Sequence, residues 1–142
     1  MHLARSLVAA AALAAGLLAS ASAAVETYRP DPAHSSVAFT VRHFFTKVPG
    51  AFKQFDAVVT VDRDDLEHSS ISATIQAASV DTQNEKRNQH LNSADFFDTA
   101  KFPTLTFHSK SWKKTGDGTY DVTGDLTIKD ITREVVLHVK SL

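Results

Sequence analysis

Asp31, His34 and Ser35 carry the three side-chain types of a serine-hydrolase triad within five residues of sequence. A working triad needs its acid, base and nucleophile on rigid, separated elements, together with an oxyanion hole. Three such residues beside the start of a predicted strand more often hold a turn, because short polar side chains bond to nearby backbone groups. The sequence also lacks a Gly-x-Ser-x-Gly elbow, a glycine-rich phosphate loop and a His-Glu-x-x-His pair. We therefore predict no catalytic residue and no enzymatic activity.

Histidine is the other residue type here that could support chemistry. Six histidines follow residue 23, and they are His34, His43, His68, His90, His108 and His138. None of them forms a pair with the spacing of ligands on one helix, although metal ligands can also converge from distant strands. A metal site therefore stays open, but we favour surface or hydrogen-bonded histidines and predict no metal and no cofactor.

Arg87 and His90 lie three residues apart in a segment that is predicted to be helical, so they share one face of that helix. Together they could bind an anionic or polar head group, since a guanidinium forms paired hydrogen bonds with carboxylate or phosphate. Equally, Arg87 could pair with acids such as Asp95 or Asp98 and fix the helix to the rest of the domain. The residue types alone leave both interpretations open.

The composition is that of an ordinary globular domain. The 142 residues are 43% hydrophobic and 22% charged, with 15 Lys and Arg against 16 Asp and Glu. That balance differs from a disordered chain, and the missing basic excess predicts no nucleic-acid partner. The absence of cysteine excludes disulfides, thiolate metal sites, a cysteine nucleophile and a lipoprotein anchor.

Residues 1–23 are predicted to be a secretory signal peptide. His2 and Arg5 precede an uncharged, Ala/Leu-rich run, and Ala21-Ser22-Ala23 has the small-residue pattern of a cleavage site. A transmembrane anchor is the alternative, but the apolar run is short and rich in alanine. We expect export to the bacterial periplasm, leaving residues 24–142 as one soluble domain without a stable membrane anchor, because no second hydrophobic run follows.

The mature chain is predicted to be mostly β-structure. A short strand is expected near Thr27 to Arg29, and six stretches alternate apolar and polar residues with the period of a half-buried strand. These stretches lie at 36–42, 55–62, 70–77, 105–110, 120–129 and 134–139. Turns are expected at Pro49-Gly50, at 116–118 and at Asp130. Long alternating strands joined by short turns favour a barrel or a sandwich.

One short polar helix interrupts the strands. Thr82 to Glu85 fits a capping box, and we expect about ten helical residues ending near Asn92 or Ser93. Phe96, Phe97 and Phe102 follow the helix and could rim an apolar pocket or, as we favour, seat the helix on the core. Trp112 and Tyr120 could stack across strands or line a cavity.

In its ordered short segments the chain resembles the YceI-like family of bacterial periplasmic proteins, the polyisoprenoid-binding, lipocalin-like barrels. Each segment alone is weakly specific, but the ordered set covers the whole mature chain. The segments are Asp31–Ser35, Val37–His43, Gly50–Phe52, Ser79–Thr82, Arg87–Leu91, Ser93–Asp98, Phe102–Ser109, Gly124–Ile128 and Thr132–Val135.

The resemblance implies an extended antiparallel lipocalin-like β-barrel, without catalytic residues, around an apolar cavity that holds an isoprenoid or fatty amphiphile. Enclosing a hydrocarbon gains roughly 25 cal/mol per Å² of apolar surface removed from water. Arg87 and His90 are the candidate head-group contacts. Strand alternation selects the candidate cavity residues, which are Phe39, Val41, Val59, Ile75, Phe107, Val122, Leu126 and Leu137. A ligand-free interaction module acting through an open sheet edge is the alternative function.

Three departures from the family pattern stand out. Asn88 occupies a position where the family commonly has Asp, which weakens any charge pairing beside Arg87, and Asp130 replaces a common turn glycine. The family usually continues past the Thr132–Lys140 strand with a loop and two more strands, whereas this sequence ends at Leu142. We therefore expect a barrel that is incomplete at its C-terminal edge, with truncation, a naturally short chain and closure as a homodimer all left open.

Overall fold

The computed structural model describes residues 25–141, so the predicted signal peptide lies outside the described residues. These residues form nine strands, two short 3₁₀ turns and one helix, which confirms the all-β class. The helix α1 spans Glu85–Asn92. The strands are β1 Val25–Tyr28, β2 Val37–His43, β3 Thr46–Phe52, β4 Phe55–Asp62, β5 Ser70–Gln76, β6 Val80–Asp81, β7 Thr104–Gly116, β8 Thr119–Ile128 and β9 Ile131–Lys140.

The strands are arranged in two antiparallel sheets. The larger sheet has the order β1-β4-β5-β7-β8-β9, and the smaller one has the order β2-β3-β6. Within residues 25–141 the two outer strands of the larger sheet, β1 and β9, each pair with one neighbour and not with each other. The described sheet is therefore not closed into a complete barrel. In this part of the chain, no helix has the length and apolar character needed to cross a bilayer.

The interior contains two clusters of buried side chains. One is built around Phe52, Ala77, Val80 and Leu105, and it packs against α1 and the smaller sheet. The other lies on β7 and β8 and consists of Phe107, Trp112, Tyr120 and Val122. Strand β7 contributes to both clusters, so it joins the two halves of the core.

An irregularity in β7 explains why alternation did not settle the position of Trp112. The register between β7 and β8 shifts between Ser109 and Ser111, as in a β-bulge. Such an extra residue reverses which positions face inward. Trp112 is consequently buried, with its ring centroid 6.0 Å from that of Tyr120. Of the two interpretations of this aromatic pair, the structure therefore supports packing between strands inside the core, with the ring planes tilted by 53°.

The turn predicted at Pro49-Gly50 is wrong, because both residues lie inside β3. Strand β3 pairs with β2 along its whole length but with β6 only at Ala51 and Phe52. At Pro49 one side of the strand therefore faces no strand within the described residues, and proline, which lacks an N–H group, is tolerated there. The turn of this hairpin lies instead at Phe44-Phe45, where Phe44 has a φ of 51°.

The helix ends where the sequence predicts, but its predicted N-cap is wrong. Asn84, rather than Thr82, caps α1, since its side-chain oxygen accepts from the backbone N–H of Arg87 at 3.0 Å. Gln83 adopts a φ of 61° between Thr82 and the cap. This turn directs the Thr82 side chain toward the helix, where it takes part in a different network.

The outer strand β1 is held to the end of β4 by side chains as well as by its ladder. The guanidinium of Arg63 donates to Glu26 at 2.6 and 2.7 Å and to the hydroxyl oxygen of Tyr28 at 2.8 Å. Tyr28 in turn donates to Glu26. These hydrogen bonds, with that from Arg63 as the largest effect, lower the pKa of Glu26 from 4.5 to about 2.

Candidate functional site

An apolar cleft of about 320 Å³ lies between the β2–β3 hairpin and α1, and we call it the hairpin–helix cleft. Two strands and the helix supply almost all of its surface. Its lining consists of Phe39, Val41, His43, Val48, Thr82, Arg87, His90, Leu91 and Phe96. Four of the ten ligand contacts predicted from the sequence are thus brought together here, and they are Phe39, Val41, Arg87 and His90.

The hairpin presents alternate side chains to the cleft. Val41 pairs with Val48 across the two strands, and Phe39 pairs with Gly50. The ring of Phe39 lies directly over Gly50. A β-carbon added to Gly50 would come within 2.3 Å of the ring. Phe39 also packs on Phe52, with 5.6 Å between ring centroids. The apolar side of the cleft is therefore anchored to the first core cluster.

The polar side of the cleft is built from a network at the start of α1. Arg87 donates from Nε to the Thr82 hydroxyl and from Nη2 to the Thr82 carbonyl oxygen, both at 2.7 Å. Thr82 is buried and donates its backbone N–H and its hydroxyl to Oδ1 of Asn88, at 2.9 and 2.8 Å. Asn88 then donates to Asp81 at 3.2 Å. This chain of bonds fixes the guanidinium at the edge of the cleft.

The network answers the question of whether Arg87 pairs with an acid. Within residues 25–141 its side-chain hydrogen bonds go to Thr82, whereas Nε2 of His90 lies 3.2 Å from Asp95. The hydrogen bonds from the backbone N–H of Gln83 and from Asn88 lower the pKa of Asp81 below its ordinary value. The predicted head-group role of Arg87 and His90 stays a prediction, but both side chains lie at the cleft as it requires.

The other predicted cavity residues do not face this cleft. Phe107 and Val122 are buried in the second core cluster, and Val59 and Leu126 pack against it. Ile75 packs against the first cluster. Leu137 lies on β9 with 39% of its surface exposed. In the described conformation none of these six side chains lines the hairpin–helix cleft, and Leu126 lines a separate cleft of about 300 Å³ at β8 and β9. Their ligand contact remains a prediction.

The three aromatic residues after the helix have different surroundings. Phe97 packs edge to face on Phe52, with centroids 5.7 Å apart, and thereby seats the helix on the core. Phe96 is 48% exposed, lines the cleft and meets the His90 ring at 4.9 Å. Lys101 and Lys129 lie over the ring of Phe102 at 5.1 and 5.8 Å. Phe97 therefore seats the helix on the core, whereas Phe96 rims an apolar cleft.

Five lining residues were not among the predicted ligand contacts, and they are His43, Val48, Thr82, Leu91 and Phe96. Val48 was hidden by the apparent Pro49-Gly50 turn. Leu91 could have been found, because it is the main apolar residue of the helix and lies one residue beyond His90. For His43, continuing the alternation of Phe39 and Val41 by two residues would have indicated the same face.

The segment containing Asp31, His34 and Ser35 forms an exposed turn. Oδ1 of Asp31 accepts from the Ala33 N–H at 2.9 Å, and Oδ2 lies 2.7 Å from Nδ1 of His34. These contacts lower the pKa of Asp31, with the His34 bond as the larger effect. Ser35 lines a neighbouring cleft of about 570 Å³, whose lining mixes apolar and polar side chains and also includes Pro30, Pro32, Ser36, Ala51, Phe52, Lys53, Gln54, Phe55 and Asp56.

Three further histidines make polar contacts with side chains on the same turn or on a neighbouring strand. His108 lies 3.1 Å from the hydroxyl of Ser72, and His138 lies 2.7 Å from Asp121. His68 lies 3.4 Å from Asp65. Across residues 25–141, no three His, Asp or Glu side chains converge in an arrangement that would hold a metal ion.

The chain shares its sequence and fold with a defined group of bacterial proteins. It is 42% identical to protein YceI of Escherichia coli O17:K52:H18 over 130 residues, covering 89% of this chain and 68% of that protein. It is 43% identical to a UPF0312 protein of Ectopseudomonas mendocina over 108 residues, or 75% of this chain. The chain spans 56% of the length of that relative.

The fold comparison agrees with the sequence comparison. The crystal structure of Burkholderia cenocepacia BcnA superposes with a TM-score of 0.75 at 34% sequence identity, covering 78% of this chain and 69% of that one. The family model of the YceI-like domain matches residues 28–142, which include the helix and every described strand except most of β1. The chain therefore belongs to the YceI-like family.

Proposed function

We propose that the protein is a periplasmic binding or carrier protein that sequesters a polyisoprenoid or another long-chain amphiphile. The observation that carries the proposal is the hairpin–helix cleft, which combines an apolar lining with Arg87 and His90 at one side. An amphiphile needs this combination, because its tail gains free energy by leaving water and its head must keep polar partners. The proposal assigns no catalytic residue.

Different residues of the cleft would contact the hydrocarbon and the head group of a ligand. Phe39, Val41 and Leu91 supply a surface for the hydrocarbon. The bonds of Arg87 to Thr82 use Nε and Nη2, which leaves Nη1 available for the head group. A guanidinium already fixed by two hydrogen bonds loses little further side-chain entropy when it binds an anion.

The size of the cleft sets how much of a ligand it holds. Its volume of about 320 Å³ is near the lower end of the roughly 300–1,000 Å³ typical of ligand sites. We propose that it takes one segment of a long chain, and that a longer segment requires Ile75, Phe107 and Val122 to separate from their neighbours. Export by the predicted signal peptide is part of the same proposal.

The test is organic extraction of the protein, purified from cells that export it, followed by mass spectrometry of the extract. A stoichiometric prenyl or long-chain species is expected. An empty extract from folded protein, still empty after incubation with prenyl lipids, would overturn the proposal.

Two valines provide a matched pair of variants. Val41 lines the cleft at 54% exposure, and Val136 lies on β9 at 48% exposure. Because both sites are open to water, neither Val41→Glu nor Val136→Glu forces a buried charge into the core. Ligand content should fall in Val41→Glu and persist in Val136→Glu. An equal loss of ligand in both variants would indicate that the ligand does not bind in the cleft.

A second candidate function is a ligand-free interaction module. It is favoured by β9, which in the described residues has one strand neighbour and exposes Ile131, Val136 and Leu137. An exposed apolar edge strand readily pairs with another chain. For this candidate, Val136→Glu should abolish self-association measured by ultracentrifugation, while the extracts of all variants contain no ligand.

A further inference from the structure

The turn of the β2–β3 hairpin exposes two adjacent aromatic side chains. Phe44 is 80% exposed and Phe45 is fully exposed. Phe44 also has a φ of 51°, a left-handed conformation that Asn or Gly would adopt with less strain. A sequence selected only for folding would not place two exposed phenylalanines, one of them at a positive φ, at this turn, so we expect the rings to have a partner.

The strands next to this turn carry a local positive charge. Arg42 and Lys47 are direct cross-strand partners, and within the described residues neither forms an ion pair. Like charges placed opposite each other weaken a strand pair in water. Residues 32–55 contain no Asp or Glu, although the whole chain has more acids than bases. The hairpin is therefore a basic segment of a slightly acidic protein.

The turn also continues into the hairpin–helix cleft. Val41 and Val48 face each other across the hairpin and line the cleft, and His43 follows them on the same face. The His43 ring meets the Phe44 ring edge to face, at 4.6 Å between centroids. The exposed rings are thus connected to the proposed ligand site through the His43 ring.

We propose that the β2–β3 hairpin docks on the surface of an anionic lipid bilayer. Phe44 and Phe45 enter the boundary between head groups and acyl chains, where aromatic rings are favoured. Arg42 and Lys47 lie beside them and attract the lipid phosphates. The proposal rests on the proposed function in one respect, since docking in this orientation brings the mouth of the cleft to the lipid from which an amphiphile would be taken.

The test is co-sedimentation of the purified mature protein with vesicles of phosphatidylcholine alone and of an equimolar mixture with phosphatidylglycerol. We expect binding to the anionic vesicles that weakens as salt is added. Arg42→Gln with Lys47→Gln should lower that affinity about fivefold per side chain. Lys113→Gln with Lys114→Gln, on exposed positions of β7, is the matched control and should retain it.

The aromatic pair is tested in the same way. Phe44→Ser with Phe45→Ser should lower affinity by about tenfold or more, while Ile131→Ser with Val136→Ser, which also removes exposed apolar side chains, should not. Phe45→Trp should show blue-shifted emission on the anionic vesicles, quenched by brominated acyl chains.

Three results would overturn the proposal: no binding to either vesicle, full binding by the serine variant, or equal losses in the control variants. Because these vesicles contain no prenyl ligand, the outcome is independent of the extraction experiment. An empty extract with intact vesicle binding would reject the carrier function and keep the docking surface. A protein that carries a prenyl compound but does not bind vesicles would support the carrier function and reject the docking surface.

Discussion

The ring of Phe39 lies across its strand partner Gly50, so closely that a β-carbon on Gly50 would come within 2.3 Å of the ring. An aromatic side chain that covers a cross-strand glycine compensates for the missing side chain and fixes its own rotamer. This relationship orients the Phe39 ring between the first core cluster and the hairpin–helix cleft.

We predict that Gly50→Ala destabilises the protein by about 1–3 kcal/mol, because the Phe39 ring must leave its position. The displaced ring would also narrow the cleft, so the ligand content of the extract should fall. Denaturant unfolding measures the first effect. Gly116→Ala is the control, since its β-carbon would meet the Thr119 hydroxyl, which can rotate away. Equal losses in both variants would contradict the prediction.

Asn88→Asp should make the stability depend on pH. Oδ1 of residue 88 accepts two bonds from Thr82, which a carboxylate can keep, but the amide donor to Asp81 would be replaced by a like charge. Repulsion raises the pKa of one carboxyl in the folded state above its ordinary value of about 4. Folding is then weakened at neutral pH and recovers as the pH falls toward that value. Urea unfolding of both proteins at several pH values tests this, and parallel profiles would contradict it.

Protonation of Glu26 should release β1 in acid. Its pKa is lowered from 4.5 to about 2 in the folded protein, chiefly by the bond from Arg63. The stabilisation it supplies is therefore complete above pH 4.5 and is lost as the pH falls from 4.5 toward 2. The protection of the β1 amides against hydrogen exchange, taken relative to the intrinsic exchange rate at each pH, should fall in that interval. Glu26→Gln should exchange faster at neutral pH and lose this dependence, and an unchanged profile would show that the ion pair does not hold the strand.

Phe44→Asn should stabilise the fold by about 1 kcal/mol, because asparagine tolerates positive φ better than a bulky aromatic residue does. Phe45 does not share the positive φ, so Phe45→Asn is the matched control and should change stability little. Thermal and denaturant unfolding give the comparison. If both variants were equally stabilised, loss of exposed apolar surface rather than backbone strain would be the cause.

Alternation in the sequence predicted the main strands because the side-chain period of a strand is fixed by its geometry. It could not predict which apolar faces meet a cleft and which meet another layer. Phe39 and Val41 line the cleft, whereas Phe107 and Val122 show the same alternation and lie in the packed core. That difference depends on how the two sheets are placed, which is a long-range property.

Local signals failed where tertiary context overrode them. The Pro49-Gly50 pair predicts a turn, although a strand that has no neighbour on one side at this position, within the described residues, accepts proline. Thr82 has the sequence of a helix cap, but its hydroxyl bonds to Asn88 and Arg87 instead. The position of Arg87 on the helix was predictable from spacing, whereas its actual partner depended on the turn at Gln83.

The two sheets are separate hydrogen-bonded ladders, and side-chain packing around Phe52 joins them, with a few bonds between Gln54, Gln76 and Ser79. Separating the two sheets at this packing breaks fewer hydrogen bonds than removing a strand from a sheet. Because the hairpin pairs with β6 only at Ala51 and Phe52, we expect it to move as a unit, and we expect the lifetime of a bound molecule to depend on how often it moves. Tightening the packing at Phe52 would then slow both loading and release without altering what is bound.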